Sequence, residues 1–295
     1  MAMPELPFIQ VLVENLAREV EGHTIVSVRV PSPAIVKTFD PPVSALAGRR
    51  IERVRRIGKL IVSDLSDDLL LIMHLMRDGR LQIARAGSAA RKGRASPAPK
   101  PMAFGLFLDR GDELRVNEAG PKKRAGVYVL RAHDAASSEP LAGLGPDPLS
   151  EQFTADVLAR AVQAEPGQLK RAITRQRHVV GIGNAFADEI LWEARLSPFA
   201  PAARLSSDEV ARLYAAIRSV FAAALQEHRT RFGTQLPTRE PVELLRVHRH
   251  AGEPCPRCRT RIETVYYADK ETYYCPACQT GGKIYADRRM SRLLK

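Results

Sequence analysis

Between residues 5 and 20, apolar side chains recur at Phe8, Val11, Leu12, Leu16 and Val20, with Glu14, Arg18 and Glu19 opposite them. That three-to-four spacing predicts an amphipathic helix. From residue 24 to about residue 130 the pattern changes to short apolar runs between turn signals, at 25–30, 60–65, 69–73, 104–108 and 126–130. Short strands at this density predict a β-sandwich or barrel. Residues 88–101 interrupt them without apolar periodicity and with four basic side chains, which predicts a mobile basic loop.

The Gly- and Pro-rich stretch 142–149 closes this region. Helical periodicity returns at 151–163, 166–176, 184–194 and 207–229, punctuated by Gly181, Gly183, Ser197 and Pro198. Residues 231–254 read as a connector. Beyond them, Val265–Tyr267 and Thr272–Tyr274 read as two strands of a hairpin whose turn is 268–271. The expected organisation is an α+β multidomain chain: a β-sandwich with a flanking helix at 1–140, a helical domain at 150–235, a metal-pinned hairpin at 246–283 and a basic tail at 284–295.

All four cysteines fall in this last part, as Cys255-Pro-Arg-Cys258 and Cys275-Pro-Ala-Cys278, sixteen residues apart. Each pair can place two thiolates on one ion while the intervening hairpin joins the pairs, a spacing inside the zinc-ribbon range. Paired disulfides or a redox motif are the alternatives. Two CxxC pairs in a chain with no visible secretory signal argue against both. One structural Zn²⁺ is therefore expected.

Forty-five Lys and Arg against thirty-three Asp and Glu give a formal charge of +12. Four thiolates and one zinc ion would bring this to about +10. A pI near 9.9 points to a polyanion, most often nucleic acid. No apolar run reaches the eighteen residues of a membrane helix. Apolar residues near the start are interrupted by Glu14, Arg18 and Glu19, unlike a signal peptide. The expected setting is the cytosol or nucleoid, where free thiols can bind metal.

Between two predicted helices, Gly181-Ile-Gly-Asn184 allows a tight turn, with Asn184 available to cap the helix that follows and backbone N–H groups facing a phosphate. Taken with Met3-Pro-Glu-Leu-Pro7, Arg55-Arg-Ile-Gly-Lys59, His74-Leu-Met-Arg-Asp-Gly-Arg80, Leu144-Gly-Pro-Asp-Pro-Leu149 and Cys275-Pro-Ala-Cys278-Gln279, the chain resembles the bacterial formamidopyrimidine-DNA glycosylase / endonuclease VIII family over residues 3–279. The resemblance implies a two-sheet sandwich domain, a helix-two-turn-helix domain and a zinc-finger hairpin that together clamp damaged DNA. It also implies glycosylase and abasic-site lyase activity.

By the same resemblance, Pro4 is the nucleophile, a secondary amine that needs a free chain terminus. Glu5 is the general acid that opens the sugar, and Lys59 assists the chemistry and binds phosphate. Met3, once removed, would expose Pro4. A retained Met1-Ala2 would leave Pro4 with an amide nitrogen and the chain as a lesion binder without lyase activity. His74, Lys170 and Asn184 match DNA-contacting positions. Lys270 stands where the family carries a hairpin arginine on the phosphates flanking the lesion; a solvated turn lysine is its plainer alternative.

Several positions depart from the family. Its opening usually continues Glu-Val-Glu, whereas Phe8-Ile-Gln10 follows here. Arg77 replaces the methionine that fills the gap left by the flipped base, with Met76 one position earlier. Asn117–Gly126 replaces the loop that supplies the wedging Arg and Phe, leaving Lys122, Lys123 and Arg124 as candidates. Only a faint echo of the loop that folds over 8-oxoguanine follows Arg231. Ring-opened purines or oxidised pyrimidines, in duplex or in single strands or bubbles, are accordingly expected as lesions on a par with 8-oxoguanine.

Overall fold

The computed structural model describes residues 3–86, 102–118, 120, 123–267 and 270–285, with Tyr267 and Lys270 as backbone only. Met1-Ala2, the basic loop 88–101, Lys122, the hairpin turn residues 268–269 and the tail from 286 lie outside the described residues. The chain divides into two units. One holds the residues up to Gly143 together with His228–Glu240, and the other holds Leu144–Glu227 together with the residues from Pro241 on.

The first unit opens with helix α1 (Leu6–Val20), whose predicted apolar stripe is buried: Phe8, Leu12, Leu16 and Val20 are each at most 1% exposed. Eight strands follow: β1 (Ile25–Arg29), β2 (Ile51–Ile57), β3 (Leu60–Leu65), β4 (Leu69–His74), β5 (Gly79–Ala84), β6 (Met102–Leu108), β7 (Glu113–Glu118) and β8 (Gly126–Arg131). They form two four-stranded antiparallel sheets, ordered β1-β6-β7-β5 and β2-β3-β4-β8. Apolar residues of α1 and both sheets share one core, running from Phe8 and Leu12 through Ile61 and Met73 to Phe104 and Val116.

β2, β5 and β7 carry no strand signal in the sequence because their polar residues break the alternation. Neighbours within the strand and across the sheet take up part of that polarity. Glu113, 3% exposed, pairs with Arg115, and Asn117 donates to Gln82 Oε1 at 2.7 Å. A buried polar group costs little once it is hydrogen-bonded, so the strand forms despite its composition.

The second unit contains α2 (Ala155–Gln163), α3 (Leu169–Thr174), α4 (Asn184–Glu193) and most of the long α5 (Ser207–Phe232). The hairpin β9 (Glu263–Tyr267) and β10 (Lys270–Tyr274) and the single turn α6 (Pro276–Gln279) complete it. Thr154 caps α2 through a hydrogen bond from Val157 N.

Residues 228–240, where the expected helical domain ends and the connector begins, pack with the first unit. Phe232 meets Phe8 edge-on at 6.2 Å, Arg229 pairs with Glu14, and Asn15 donates to the carbonyls of Gly233 and Gln235. Lys270 and Glu271 were expected in the hairpin turn. Lys270 instead pairs with Tyr267, and Glu271 with Tyr266, as the first residues of β10. Among the described residues, no helix is long and apolar enough to cross a membrane.

Candidate active site and nucleic-acid interface

In the first unit, Pro4 is buried just ahead of α1 and Glu5 is the residue that starts the helix, its carbonyl accepting from Ile9 N at 3.0 Å. Glu5 is 3% exposed. Its backbone N–H donates to Glu240 Oε2 at 3.0 Å. Lys59, 7% exposed, sits at the tight β2–β3 turn beside Gly58, whose φ of +58° suits glycine. Arg56 braces that turn by donating to Gly58 O at 3.0 Å and to Gln10 Oε1 at 2.9 Å. Gln10 thus serves the turn, while Phe8 is committed to the core.

His74 ends β4 opposite Gly126. Burial, helped by the positive charge of Lys59, pushes its pKa down to about 4, so its ring is neutral at neutral pH. Its Nε2 is buried without a hydrogen-bond partner among the described residues. Burial and the neighbouring Glu5 raise the Glu240 carboxyl well above its usual range, and Lys59 works in the opposite direction. The sequence-predicted Pro4, Glu5, Lys59 and His74 therefore share one neighbourhood. Glu240 and His228, which sequence reasoning missed, belong to it too.

The turn after His74 is tightly built. Gly79 N donates to Leu75 O at 2.9 Å, and a Cβ on Gly79 would lie 2.4 Å from that oxygen. Met76 takes φ +51°, an uncommon conformation for a side chain of its size. Arg80, 9% exposed, donates to the carbonyls of Arg77 and Gly79 from inside, and the Arg77 side chain is exposed at the tip. In the loop that replaces the usual wedge, Glu118 accepts from the backbone N–H groups of Arg124 and Ala125. Lys123 donates to Glu118 O, whereas Arg124 projects outward.

In the second unit, Gly181 has φ +88° and Gln176 clasps its turn, accepting from Gly181 N and donating to Ile182 O, each at 2.8 Å. Gly183, rather than Asn184, is the N-cap of α4. Asn184 Nδ2 and Lys170 Nζ both donate to Glu271 O, at 2.9 and 2.7 Å. Lys170 was expected at the DNA. It is 8% exposed, and its ammonium lies 2.6 Å from buried Asp188, which also contacts His248 Nδ1 at 2.8 Å. Glu189, beside Asp188, accepts from the backbone N–H groups of Arg246, Val247 and His248 at 2.9 Å each. Together these bonds tie the connector and β10 to α3 and α4.

The sulfur atoms of Cys255, Cys258, Cys275 and Cys278 all lie within 4.8 Å of one another. Tetrahedral ligation with Zn–S near 2.3 Å needs sulfur separations of about 3.8 Å, so the set fits one zinc ion. Trp192 Nε1 donates to Cys255 Sγ at 3.3 Å, and the Arg257 guanidinium lies 4.1 Å over the Trp192 ring. Gln279 accepts from Cys275 N at 2.8 Å and donates to Leu196 O at 3.0 Å.

A two-sheet unit with a buried proline–glutamate start, joined to a helical unit with a zinc-binding hairpin, defines the architecture of a DNA-repair glycosylase. Family models match in the same order: the formamidopyrimidine-DNA glycosylase N-terminal domain over 3–122, its H2TH domain over 144–235, and the zinc finger found in FPG and IleRS over 252–281. The formamidopyrimidine-DNA glycosylase of Chloroflexus aurantiacus is 33% identical over 94% of this chain and 98% of its own. That of Symbiobacterium thermophilum is 34% identical over 94% and 89%. Among solved structures, the MutM (FPG) protein of Thermus thermophilus superposes with a TM-score of 0.77 at 29% identity, covering 95% of this chain and all of that one. A Lactococcus lactis FPG variant in complex with Fapy-dG-containing DNA gives 0.80 at 24% identity, covering 94% and 100%. The chain belongs to the formamidopyrimidine-DNA glycosylase family, and its cysteine cluster holds one structural zinc ion.

Proposed function

We propose that the protein removes ring-opened purines or oxidised pyrimidines from DNA and cleaves the abasic site that results. The observation that carries this reading is the buried start of the first unit, where Pro4 and Glu5 meet Lys59, a neutral His74 and a second buried acid, Glu240. The lone pair of a free Pro4 amine attacks C1′ of an extruded nucleotide. The C1′–base bond breaks, its electrons leaving with the base, which takes up a proton. Glu5 delivers a proton to the sugar ring oxygen as the C1′–O bond opens, leaving an iminium between Pro4 and C1′. Loss of a C2′ proton then expels the 3′ phosphate. Lys59 supplies positive charge beside the reacting groups.

For binding, Arg77 is the group presented to the gap in the duplex, Arg124 and Lys123 flank it, and Lys270 contacts phosphate as a point charge. Lys170 and Asn184 act through the hairpin, holding the carbonyl next to Lys270. The protein works as a monomer in the bacterial cytoplasm, on nucleoid DNA.

The test is borohydride trapping on an abasic duplex with protein whose N-terminus has been established by mass. Protein beginning at Pro4 should form the covalent adduct, and Pro4→Gly should retain part of it through a primary amine. A chain retaining Met1 should bind the duplex without trapping. Full trapping by that extended chain would assign the nucleophile elsewhere.

A further inference from the structure

We infer that Glu240 is a positioning residue for the reacting nitrogen, acting through the Glu5 amide; this rests on the reading of Pro4 as nucleophile. Glu5 N follows the Pro4 carbonyl directly, so fixing that N–H leaves the Pro4 nitrogen only the rotation about its own Cα–C bond. The Glu5 carbonyl is fixed as well, by Ile9 N at 3.0 Å. Glu5 is thus held on one side by the first helical bond of α1 and on the other by Glu240 Oε2 at 3.0 Å.

The acid is itself held. Its second oxygen, Oε1, faces His228 Nε2 at 3.5 Å, and both side chains are at most 4% exposed. The His228 ring stacks on Phe232 at 6.0 Å, and Phe232 meets Phe8 at 6.2 Å. Phe8 lies three residues past Glu5 on α1. The contacts Glu5–Glu240–His228–Phe232–Phe8 therefore form a closed circuit that leaves the chain at the N-cap of α1 and returns to the helix one turn later. Such a circuit fixes the entry angle of α1, and with it the direction of the Pro4 ring.

An acid is an unusual choice for this place. A main-chain carbonyl or an amide side chain would accept the same N–H without placing an ionisable group in a buried site. The charged groups that act on the pair are Glu5, Lys59 and Arg231. Positive charge develops on the Pro4 nitrogen as the iminium forms. A carboxyl here can therefore serve the reaction as well as the geometry.

Two variants separate these roles, compared with wild type in chains processed to Pro4. Glu240→Gln keeps an acceptor for Glu5 N–H, and Glu240→Leu removes it. The first readout is independent of activity: hydrogen exchange of the Glu5 amide should speed up about tenfold or more in Glu240→Leu and stay slow in Glu240→Gln. The second is single-turnover cleavage of an abasic duplex. Displacing the nucleophile should cost Glu240→Leu about 10²-fold in rate while its affinity for the duplex changes little, and Glu240→Gln should recover most of that loss.

Unchanged Glu5 exchange in Glu240→Leu overturns the anchor. Accelerated exchange with a wild-type cleavage rate, or equal impairment of both variants, overturns the positioning role. If wild-type protein starting at Pro4 is not trapped at all, the reading of Pro4 fails, and with it the catalytic part of this inference. Amide exchange then still decides whether Glu240 holds Glu5.

Discussion

Trp192 donates its indole N–H to Cys255 Sγ at 3.3 Å, so a helix of the second unit supplies a hydrogen bond to a zinc-ligand sulfur. Trp192 is 4% exposed and packs with Val247, Ile262 and Tyr273 around Cys255 and Cys275. The metal module has no independent core and shares the one provided by α4. Hydrogen bonds to ligand atoms orient them and tune their basicity, and losing one typically costs about 10–100-fold in metal affinity. Trp192→Phe keeps the ring and removes the donor. It should release zinc at about tenfold lower chelator concentration, measured with a colorimetric zinc indicator.

Cys278→Ser should lose the ion and lower DNA affinity, because zinc ligation supplies most of the folding free energy of so small a module. The first unit has its own core of α1 and two sheets and should keep its thermal transition. Normal binding to abasic DNA by zinc-free protein would show that the hairpin is not used to hold DNA.

Asp188 is fully buried and faces both Lys170 and His248. Asp188→Asn removes the carboxylate that faces the Lys170 ammonium, and breaking a buried pair in this way costs about 3–5 kcal/mol. The double variant Lys170→Met, Asp188→Leu removes both charges and should recover most of that loss. Urea unfolding of the zinc-loaded protein measures both. Glu271 O loses one of its two side-chain donors in the double variant, so DNA affinity should fall even where stability returns.

The acid limb of stability has a definite sign. His74 and His228 are held near pKa 4 against an ordinary 6.5, so the unfolded chain takes up their protons first. Stability is therefore present above pH 6.5 and is lost as pH falls from 6.5 towards 4, by up to about 3 kcal/mol per histidine. Glu240, raised above 4.5, works the other way: its proton binds the folded state first and offsets part of the loss above pH 4.5. Glu240→Gln removes that offset. Its urea midpoint should fall more steeply between pH 6.5 and 4.5 than that of the wild type.

Lys270 begins β10, next to the carbonyl that Lys170 and Asn184 hold. Lysine offers a point charge where arginine would grip two phosphate oxygens. Lys270→Ala should lower base excision strongly and cleavage of preformed abasic sites less, since no base must then be extracted. Lys270→Arg should maintain or raise both. Single-turnover rates on a lesion duplex and an abasic duplex decide it, and near-wild-type rates for Lys270→Ala on both would leave Lys270 a solvated lysine.

Sequence alone determined the features that depend on local spacing. The apolar stripe of α1 follows from the 3.6-residue period, the zinc set from two CxxC pairs a hairpin apart, and the α4 turn from glycines at 181 and 183. Pro4, Glu5, Lys59 and His74 were legible because each sits in a short motif. Only the tertiary structure decided the rest. β2, β5 and β7 are strands fixed by pairing with neighbouring strands, as where Asn117 of β7 donates to Gln82 of β5, which a linear pattern cannot record. Lys170 is indistinguishable in sequence from a solvent-facing helix lysine until α4 brings Asp188 to 2.6 Å. Glu240 lies 235 residues from the amide it holds, on a segment that reads as a connector. Its role exists only because the end of α5 folds back onto α1, where burial makes a single carboxylate matter.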